Sequence, residues 1–447
     1  MTAQTYPYVE HLSIRNVRSI QWVDVDLGDF SVFVGPNGSG KTNLVQAMRL
    51  FGDLLERGTT DPVEALGWEE IVRRTKKRAH GIQLAERVVI PGEEIASLRR
   101  RSRNPSPGFR SDVHVDLAIH LKPGKDDTSI RVEKEELGLF SEGVGRLSIT
   151  VEGDRVSVDR GGTSAEEQLA DLLVPAPVRA HRSGQQLLFS QNWTEALEQY
   201  FAPASLAADE EGRFLRLLSR PRFFSPLLDV VISTCGVRRL RLDATALRAD
   251  SPARGAMGAA GENLAAAVAA LRGIQGTPKR QFTPILTALQ DIFPRIEDIK
   301  PVRVQPGRLA LTFVEHGVTE PFGQASVSDG VLHALALLVA LEERSKGLLA
   351  VEEPENAIHP WSIRVLMDRI QARRSRQVIL TTHSVEVVNE IRDPDALFIV
   401  EVDEHGTHVA QARSNERKID TILRETGQPL GEVWREGALG GIPGNRE

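Results

Sequence analysis

The amino-acid sequence predicts an α/β fold with a mixed sheet, and three observations support this prediction. The first is a short apolar run, Phe30–Val34, that leads through a glycine-rich turn into a helical pattern over Lys41–Leu55. The second is a pair of apolar runs near the other end of the chain, Leu348–Val351 and Val378–Leu380, separated by a helical pattern. The third is a strand-rich stretch, Asp112–Val158. Short apolar runs that alternate with helices are typical of strands buried on both faces.

The remaining elements follow from the same patterns along the chain. Alternating apolar and polar residues in His11–Val17 and Ser19–Leu27 predict two half-buried strands. Alanine and leucine at helical spacing dominate Ala165–Arg272, and Val331–Glu342 predicts a helix before the strand at Leu348. The sequence therefore predicts an N-terminal half (1–160), a helical insertion (161–298), a C-terminal half (299–405) and a tail (406–447).

Composition limits the class of protein. Of the 447 residues, 41% are hydrophobic and 26% are charged, which excludes a disordered chain. The formal net charge of −6 excludes a globally basic nucleic-acid coat, although a local basic groove stays open. The single cysteine, Cys235, excludes an intrachain disulfide and favours the reducing cytoplasm. No stretch approaches about 18 uninterrupted apolar residues, so we expect no membrane contact.

A glycine-rich motif connects the strand Phe30–Val34 to the following helix. It matches the phosphate-binding pattern G-x-x-x-x-G-K-[ST] in full, with Gly35, Pro36, Asn37, Gly38, Ser39, Gly40, Lys41 and Thr42. Glycines allow backbone N–H groups to curl around a β-phosphate, and the helix N-terminus adds its positive dipole end. Lys41 would neutralise the β- and γ-phosphates, and the Thr42 hydroxyl would ligate Mg²⁺. A chance glycine-rich turn is the alternative, and the flanking strand and helix favour nucleotide binding.

Two carboxylates, Glu352 and Glu353, follow directly after the apolar strand Leu348–Val351. Glu352 would hold Mg²⁺ through a water molecule, and Glu353 would polarise an attacking water as general base. A solvated acidic turn is the alternative, because glutamate is usually exposed. This motif favours a site only in combination with the loop at 35–42.

Two further polar positions, Ser328 and His383, are ambiguous by themselves. Ser328 precedes the predicted helix Val331–Glu342, where a serine is typical of an N-cap and needs no ligand. His383 follows the strand Val378–Leu380, and a lone histidine is more often structural than catalytic. The order of the four motifs along the chain decides between these interpretations.

In that order, the motifs resemble those of ATP-binding-cassette (ABC) ATPases of the SMC, RecF and Rad50 type. Within these, the sequence is similar to the compact bacterial AAA_15 and AAA_21 families, which are related to the ATPase part of OLD-family nucleases. The resemblance is carried by Gly-Pro-Asn-Gly-Ser-Gly-Lys-Thr-Asn at 35–43, Ser-Asp-Gly at 328–330, Glu-Glu-Pro-Glu-Asn-Ala-Ile-His-Pro at 352–360 and Thr-Thr-His-Ser at 381–384. It adds Asn43 to the nucleotide-binding residues. The resemblance covers both halves and weakens across the insertion.

The resemblance implies a P-loop NTPase with an ABC-type ATPase head, a strand-rich N-terminal lobe and an inserted helical lobe. Ser328 and Gly330 match the signature motif, which reaches across a dimer to the partner's γ-phosphate. Residues 356–359 match the D-loop at the dimer interface, and His383 matches the switch histidine that senses the γ-phosphate. Gln83 has the order of the Q-loop glutamine, but its surroundings predict a strand, so the position is not assigned.

The function implied is that of an ATPase which sandwiches ATP and Mg²⁺ between the subunits of a homodimer or higher homo-oligomer. Such a switch would act in DNA transactions or phage defence, with a separate effector nuclease or toxin. A transporter ATPase subunit and a nucleotide-gated scaffold with little hydrolysis are the alternatives. The large insertion and the short Ser-Asp-Gly signature argue against the transporter, whereas the scaffold would share every binding motif.

Four other segments bear on partners. Two basic clusters, Arg73–Arg78 and Leu98–Arg103, suit either contact with a phosphodiester backbone or a solvated loop. Glu401 and Asp403 lie on a predicted strand, but too few residues follow for a nuclease domain of about 100 residues. The glycine-rich tail segment Gly431–Pro443, with its single tryptophan, has packing or partner docking as its default role.

Overall fold

The computed structural model describes most of the chain outside one long middle segment. The described residues are 4–75, 78–101, 111–123, 130–153, 155–160, 169, 172, 180–183, 186–189, 225–273, 281–343, 347–373, 376–412 and 427–440. Much of the first half of the predicted helical insertion therefore lies outside them. Among the described residues, no helix has the length and apolar character needed to cross a bilayer.

The N-terminal half consists mainly of strands. Its helices are α1 (Lys41–Arg57), α2 (Asp61–Leu66), α3 (Trp68–Ile71) and α4 (Gly92–Arg101). Its strands are β1 (Tyr8–Val17), β2 (Ile20–Asp26), β3 (Phe30–Val34), β4 (Arg74–Thr75), β5 (Arg78–Ala79), β6 (Ile82–Ile90), β7 (Val113–Pro123), β8 (Ile130–Ser141), β9 (Gly145–Glu152) and β10 (Arg155–Arg160). The predicted strand-rich lobe is confirmed, and β3 has its predicted bounds.

The rest of the chain supplies more helices. These are α5 (Pro226–Cys235), α6 (Ala244–Arg248), α7 (Leu264–Arg272), α8 (Thr283–Ile292), α9 (Asp329–Glu342), α10 (Pro360–Gln371), α11 (Val385–Asn389) and α12 (Leu430–Arg435). The strands are β11 (Ala180–Ser183), β12 (Gln186–Phe189), β13 (Val237–Leu240), β14 (Ser251–Pro252), β15 (Ile296–Gln305), β16 (Arg308–Glu315), β17 (Phe322–Gly323), β18 (Leu348–Glu352), β19 (Val378–Thr382), β20 (Leu397–Asp403) and β21 (Gly406–Gln411).

One large mixed sheet organises the described chain. Its strand order is β10-β9-β8-β7-β6-β1-β2-β21-β20-β3-β19-β18-β13. From β10 to β2 the neighbours are antiparallel, whereas β20, β3, β19, β18 and β13 run parallel. The predicted α/β fold with a mixed sheet is confirmed.

Strand β3 shows why the strands in the parallel part of the sheet have continuous apolar sequences. Phe33 belongs to a hydrophobic cluster with α1 and α5 on one face, and its ring stacks on Phe398 at 4.8 Å between centroids. Val32 and Val34 belong to a second cluster with α7, α8 and α9 on the other face. Because both faces are covered, the consecutive residues Val32, Phe33 and Val34 are all apolar, as in other parallel sheets.

The predicted helical insertion, 161–298, also contains the strands β11, β12, β13 and β14 and the start of β15, of which β13 matters most for the site. Val237–Leu240 forms the edge strand β13, parallel to β18, with Arg239 opposite Ala350. The helix before it, α5, packs on α1, so this segment belongs to the main sheet and its covering layer. The strand has only four residues and two are arginines, so its sequence contains no apolar run that would predict it.

Candidate functional site

Three neighbouring parallel strands bring the predicted site residues to one edge of the sheet. Val34, at the end of β3, pairs with Thr382 of β19. Glu352, at the end of β18, pairs with Thr381. The glycine-rich loop, Glu353 and His383 therefore all follow the carboxyl ends of adjacent strands, where ligands bind in open α/β sheets.

The glycine-rich loop presents free backbone amides. Gly38 and Gly40 have φ values of 83° and 105°, which residues with a side chain rarely adopt. The N–H groups of Gly38, Gly40 and Lys41 donate no hydrogen bond to any described residue. The N-cap residue of helix α1 is Gly40, which has no side chain to cap the helix. Unpaired amides at a helix N-terminus fit a polyphosphate, so the donor set of this loop suits ATP.

Lys41 is held inside this loop. Its Nζ donates hydrogen bonds to the carbonyl oxygens of Gly35 (2.6 Å) and Pro36 (2.9 Å), and the residue is only 7% exposed. Burial lowers the pKa of Lys41, and the carboxylates of Glu353, Glu355 and Glu352 oppose this shift. The ammonium is thus preorganised beside the free amides, where it can pair with phosphate oxygens.

Thr42 and Glu352 meet although they are far apart in sequence. The Thr42 hydroxyl donates to Oε2 of Glu352 at 3.0 Å, and Glu352 is 5% exposed. These two oxygen-bearing groups fit Mg²⁺, which usually takes one or two protein ligands and keeps several waters. Arg239 of β13 donates its Nε–H to the other carboxylate oxygen of Glu352. The sequence analysis missed Arg239 because β13 was not predicted.

Glu353 has a strained backbone and a directed side chain. Its φ is 51°, and its N–H donates to the Thr381 carbonyl at 2.8 Å. Asn356 Nδ2 donates to Glu353 Oε2 at 2.9 Å, whereas Oε1 lies 3.9 Å from Nδ1 of His383. A left-handed backbone at a non-glycine residue persists only where the surroundings enforce it. The side chains of Glu353 and His383, both predicted to be catalytic, thus lie next to each other.

A third carboxylate, Glu355, organises the turn around His383. Its Oε1 accepts hydrogen bonds from the Thr382 hydroxyl (2.6 Å) and the His383 N–H (3.2 Å). The same oxygen is 3.6 Å from Nδ1 of His383. The sequence did not predict a separate role for Glu355. Its position in the motif Glu-Glu-Pro-Glu is the signal that could have identified it.

The signature residues lie apart from this cluster. Ser328 is exposed at the N-cap of α9, yet its side chain makes no capping hydrogen bond and contacts no other predicted site residue by a hydrogen bond within the described chain. A Cβ at Gly330 would come within 2.7 Å of the Ala357 carbonyl oxygen, so α9 packs closely on residues 356–359. The Ser328 side chain therefore does not cap α9, because it makes no hydrogen bond to the first turn of the helix.

Arg248, which was not among the site residues predicted from the sequence, stabilises the signature segment by hydrogen bonds. Arg248, at the end of α6, donates hydrogen bonds to three carbonyl oxygens, those of Gln324 (3.1 Å), Ala325 (2.7 Å) and Val327 (2.7 Å). It also donates to Asp329 Oδ1 at 2.6 Å. These four bonds fix the turn before α9 without using the Ser328 side chain.

Gln83, the two basic clusters and the tail segment lie away from the glycine-rich loop in sequence. Gln83 lies within β6, paired with Arg15 and His120, which agrees with its prediction as a strand residue. Both basic clusters fall partly outside the described residues, as does the end of the tail segment Gly431–Pro443. The described part of that tail packs on α11, where Gly431 N–H donates to Asn389 Oδ1 at 2.7 Å.

Comparison with known proteins identifies relatives of part of the chain. An uncharacterized protein of Methanocaldococcus jannaschii, MJECL44, is 44% identical over 143 residues, which are 30% of this chain and 40% of that protein. The DNA replication and repair protein RecF of Streptomyces avermitilis is 36% identical over 104 residues, which are 22% of this chain and 28% of RecF. The chain thus matches less than half of the length of either relative.

Solved structures of SMC head domains also align with this chain. The SmcHead bound to the C-winged helix domain of ScpA aligns with 90% of this chain and 97% of that one, at 14% identity and a TM-score of 0.47. The Smc head domain from Pyrococcus furiosus, bound to the C-terminal domain of ScpA, aligns with 94% and 100%, at 14% identity and a TM-score of 0.44.

A family model covers most of the chain. The family AAA_21, described as "AAA domain, putative AbiEii toxin, Type IV TA system", matches residues 30–389. That range includes the glycine-rich loop, the strands β18 and β19 with their carboxylates, and the signature segment. The predicted resemblance to this family is confirmed: the chain belongs to the AAA_21 family.

Proposed function

We propose that this protein binds ATP with Mg²⁺ and hydrolyses it, and that two copies enclose the nucleotides between them. The observation that carries the proposal is the convergence of four groups at one sheet edge. These are the free loop amides, Lys41, the Thr42–Glu352 pair and the Glu353–His383 pair. This set contains a phosphate cradle, a cation site and a general base, which phosphoryl transfer to water requires.

Each residue has a defined task in this proposal. The loop amides and Lys41 bind the β- and γ-phosphates, and Thr42 and Glu352 hold Mg²⁺, with Arg239 fixing the carboxylate. Bound Mg²⁺ would neutralise charge on the phosphate oxygens. Glu353 accepts a proton from the attacking water, oriented by Asn356. His383 contacts the γ-phosphate, and Glu355 holds its backbone.

The dimer is supported by the position of the signature residues. Ser328 is exposed, and it makes no hydrogen bond to the glycine-rich loop of its own described chain. A second copy would bring its Ser328 and Gly330 to the γ-phosphate bound by the first. Hydrolysis would then open the interface and make the assembly a switch.

The biological setting is proposed from the relatives. The description of the family names a toxin and a type IV toxin–antitoxin system, and one partial relative is a DNA replication and repair protein. We propose a role in phage defence or DNA transactions, with a separate toxin or nuclease as effector. ATP turnover measured with and without duplex DNA tests this role: stimulation supports a DNA-gated switch, and its absence favours gating by a protein.

The Glu353→Gln variant tests hydrolysis and dimerisation together. Removing the general base should lower ATP turnover by about 10²–10⁴-fold. ATP binding should be retained, and ATP-dependent dimers should accumulate in size-exclusion chromatography because they no longer open. Glu390→Gln is the matched control, since Glu390 lies after α11 and pairs only loosely with Arg364 at 3.9 Å. Undiminished turnover in Glu353→Gln would contradict the assignment of Glu353.

A further inference from the structure

Three polar side chains form a chain of hydrogen bonds that ends on the backbone of the glycine-rich loop. Asn43 Nδ2 donates to Ser19 Oγ at 2.7 Å. The hydroxyls of Ser19 and Thr407 are 2.8 Å apart, and Thr407 Oγ1 is 2.9 Å from the Ser39 carbonyl oxygen. Because a carbonyl only accepts, Thr407 must donate to Ser39 and Ser19 must donate to Thr407. We call Asn43, Ser19 and Thr407 the hydroxyl clasp.

The hydroxyl clasp is sterically tight around Thr407, its one fully buried member, whereas Ser19 and Asn43 are partly exposed. Thr407, on β21, is fully buried, and its N–H donates to the Ser19 carbonyl at 2.8 Å. A Cβ at Gly40 would come within 2.2 Å of Thr407 Oγ1. The junction between the loop and α1 is therefore pressed directly against β21, and only glycine fits there.

This contact has a geometric consequence for the phosphate side of the loop. The described chain has no cis peptide bonds, and in a trans peptide the C=O and the following N–H point in opposite directions. Since the Ser39 carbonyl points to Thr407, the Gly40 N–H points away from it. That N–H has no partner among the described residues. The Thr407 hydroxyl thus orients one of the free amides.

We propose that Ser19 and Thr407 are positioning residues that hold the glycine-rich loop in its ATP-binding conformation through the Ser39 carbonyl. The inference rests on the proposed function, because it assigns these residues to the same nucleotide site. Neither residue lies in the range 30–389 that the family model matches. The loop is therefore completed by the turn between β1 and β2 and by a strand that follows the matched range.

Replacing Thr407 by valine tests the proposal with little change in shape. Thr407→Val removes the hydroxyl and leaves the buried Ser39 carbonyl unpaired, so the binding conformation is less populated and apparent affinity falls. We expect about tenfold weaker ATP binding in the folded protein, measured by calorimetry below the melting range. Thr407→Ser, which keeps the hydroxyl, should restore most of the affinity.

A matched control separates positioning from stability. Thr312 Oγ1 also donates to a backbone carbonyl between strands, that of Lys300 at 3.2 Å, but in the sheet formed by β15 and β16. Thr312→Val should lower the melting temperature at most and leave ATP affinity unchanged. Equal losses of affinity in Thr312→Val and Thr407→Val, or none in Thr407→Val, would overturn the proposal.

Three further variants complete the test. If Thr407→Val does not fold, Ser19→Ala breaks the same chain of hydrogen bonds at a less buried position and should weaken ATP binding similarly. In the double variant, the two losses should not add, because both interrupt one chain of hydrogen bonds. Lys41→Ala distinguishes the two proposals. Unchanged ATP binding by Lys41→Ala would reject the proposed nucleotide site. If Lys41→Ala loses ATP binding but Thr407→Val and Ser19→Ala bind ATP normally, only the positioning role of the hydroxyl clasp is rejected.

Discussion

The N-termini of α1 and α9 both lack a side-chain cap, since neither Gly40 nor Ser328 makes a capping hydrogen bond through its side chain. Among the other described helices, α5, α6, α10 and α11 are capped by Ser225, Asp243, His359 and Ser384, respectively, whereas α2, α3, α7, α8 and α12 also have no side-chain cap. An uncapped helix leaves amides without partners, at a cost in stability. Because five other described helices share it, the missing cap alone does not mark a phosphate site; α1 differs from them in its glycine-rich loop and buried Lys41.

The two ends differ in how they are held. Around α1, Lys41 is 7% exposed and Thr407 is fully buried, so the glycine-rich loop is fixed from inside the chain. Before α9, the backbone is held by the partly exposed Arg248, and Ser328 faces solvent. In the proposed dimer, one half of each nucleotide site (the glycine-rich loop half-site) is thus assembled within the subunit, and the other half (the signature half-site) is presented outward. This difference predicts that substitutions in the first affect ATP binding, and substitutions in the second affect association.

The largest effect on ATP binding is expected from Lys41→Ala. Loss of a buried ammonium from the loop should weaken ATP binding by about 100-fold, because hydrogen bonds to charged groups contribute most. Titration with a fluorescent ATP analogue measures this, and Lys300→Ala, at an exposed lysine, is the control. Tight binding retained in Lys41→Ala would reject the phosphate-loop interpretation.

Ser328→Ala should separate the two half-sites. Because the Ser328 side chain caps nothing, its removal should cost less than about 0.5 kcal/mol of unfolding free energy. ATP binding to the monomer should be normal, whereas turnover and ATP-dependent association should fall about tenfold, through one lost hydrogen bond to the partner's nucleotide.

Ser225→Ala provides the matched control for Ser328→Ala. Ser225 Oγ accepts from Leu228 N–H at 3.3 Å and caps α5, so its loss should cost about 1 kcal/mol of stability. Urea denaturation compares the two variants. A comparable stability loss in Ser328→Ala, with normal turnover, would show that Ser328 is a structural cap.

Local pattern in the sequence predicted the parts of this site that are contiguous in the chain. The loop at 35–42, the strands β3, β18 and β19, and the carboxylates after β18 are each encoded within a few residues. A strand buried on both faces, followed by turn residues, leaves a readable sequence signal. These elements were therefore predicted nearly to their bounds.

The residues that hold the site could not be predicted in this way. Arg239, Arg248 and Thr407 contact partners 113, 81 and 368 positions away, at Glu352, Asp329 and Ser39. Each lies in a short segment without a distinctive pattern, and its role depends on which strands become neighbours. Strand order across a crossover is a property of the whole fold, so single-sequence periodicity does not encode it locally.

Arg248→Gln should give the smallest effect and the sharpest test of the outward-facing half-site. A glutamine keeps one or two of the four hydrogen bonds, so the turn before α9 should loosen without unfolding. We expect turnover and ATP-dependent association to fall about three- to tenfold, with monomer ATP affinity unchanged.

The matched control for Arg248→Gln is Arg369→Gln, which removes an exposed ion pair with Asp291 (2.8 Å) on the neighbouring α10 and α8. Exposed pairs contribute little, so this variant should behave like the unmodified protein. Weaker ATP binding by monomeric Arg248→Gln would break the comparison between the half-sites, since it would mean that the signature segment also supports the glycine-rich loop of its own chain. Reduced association with normal ATP binding would instead establish that Arg248 acts only on the signature segment that contacts the partner subunit.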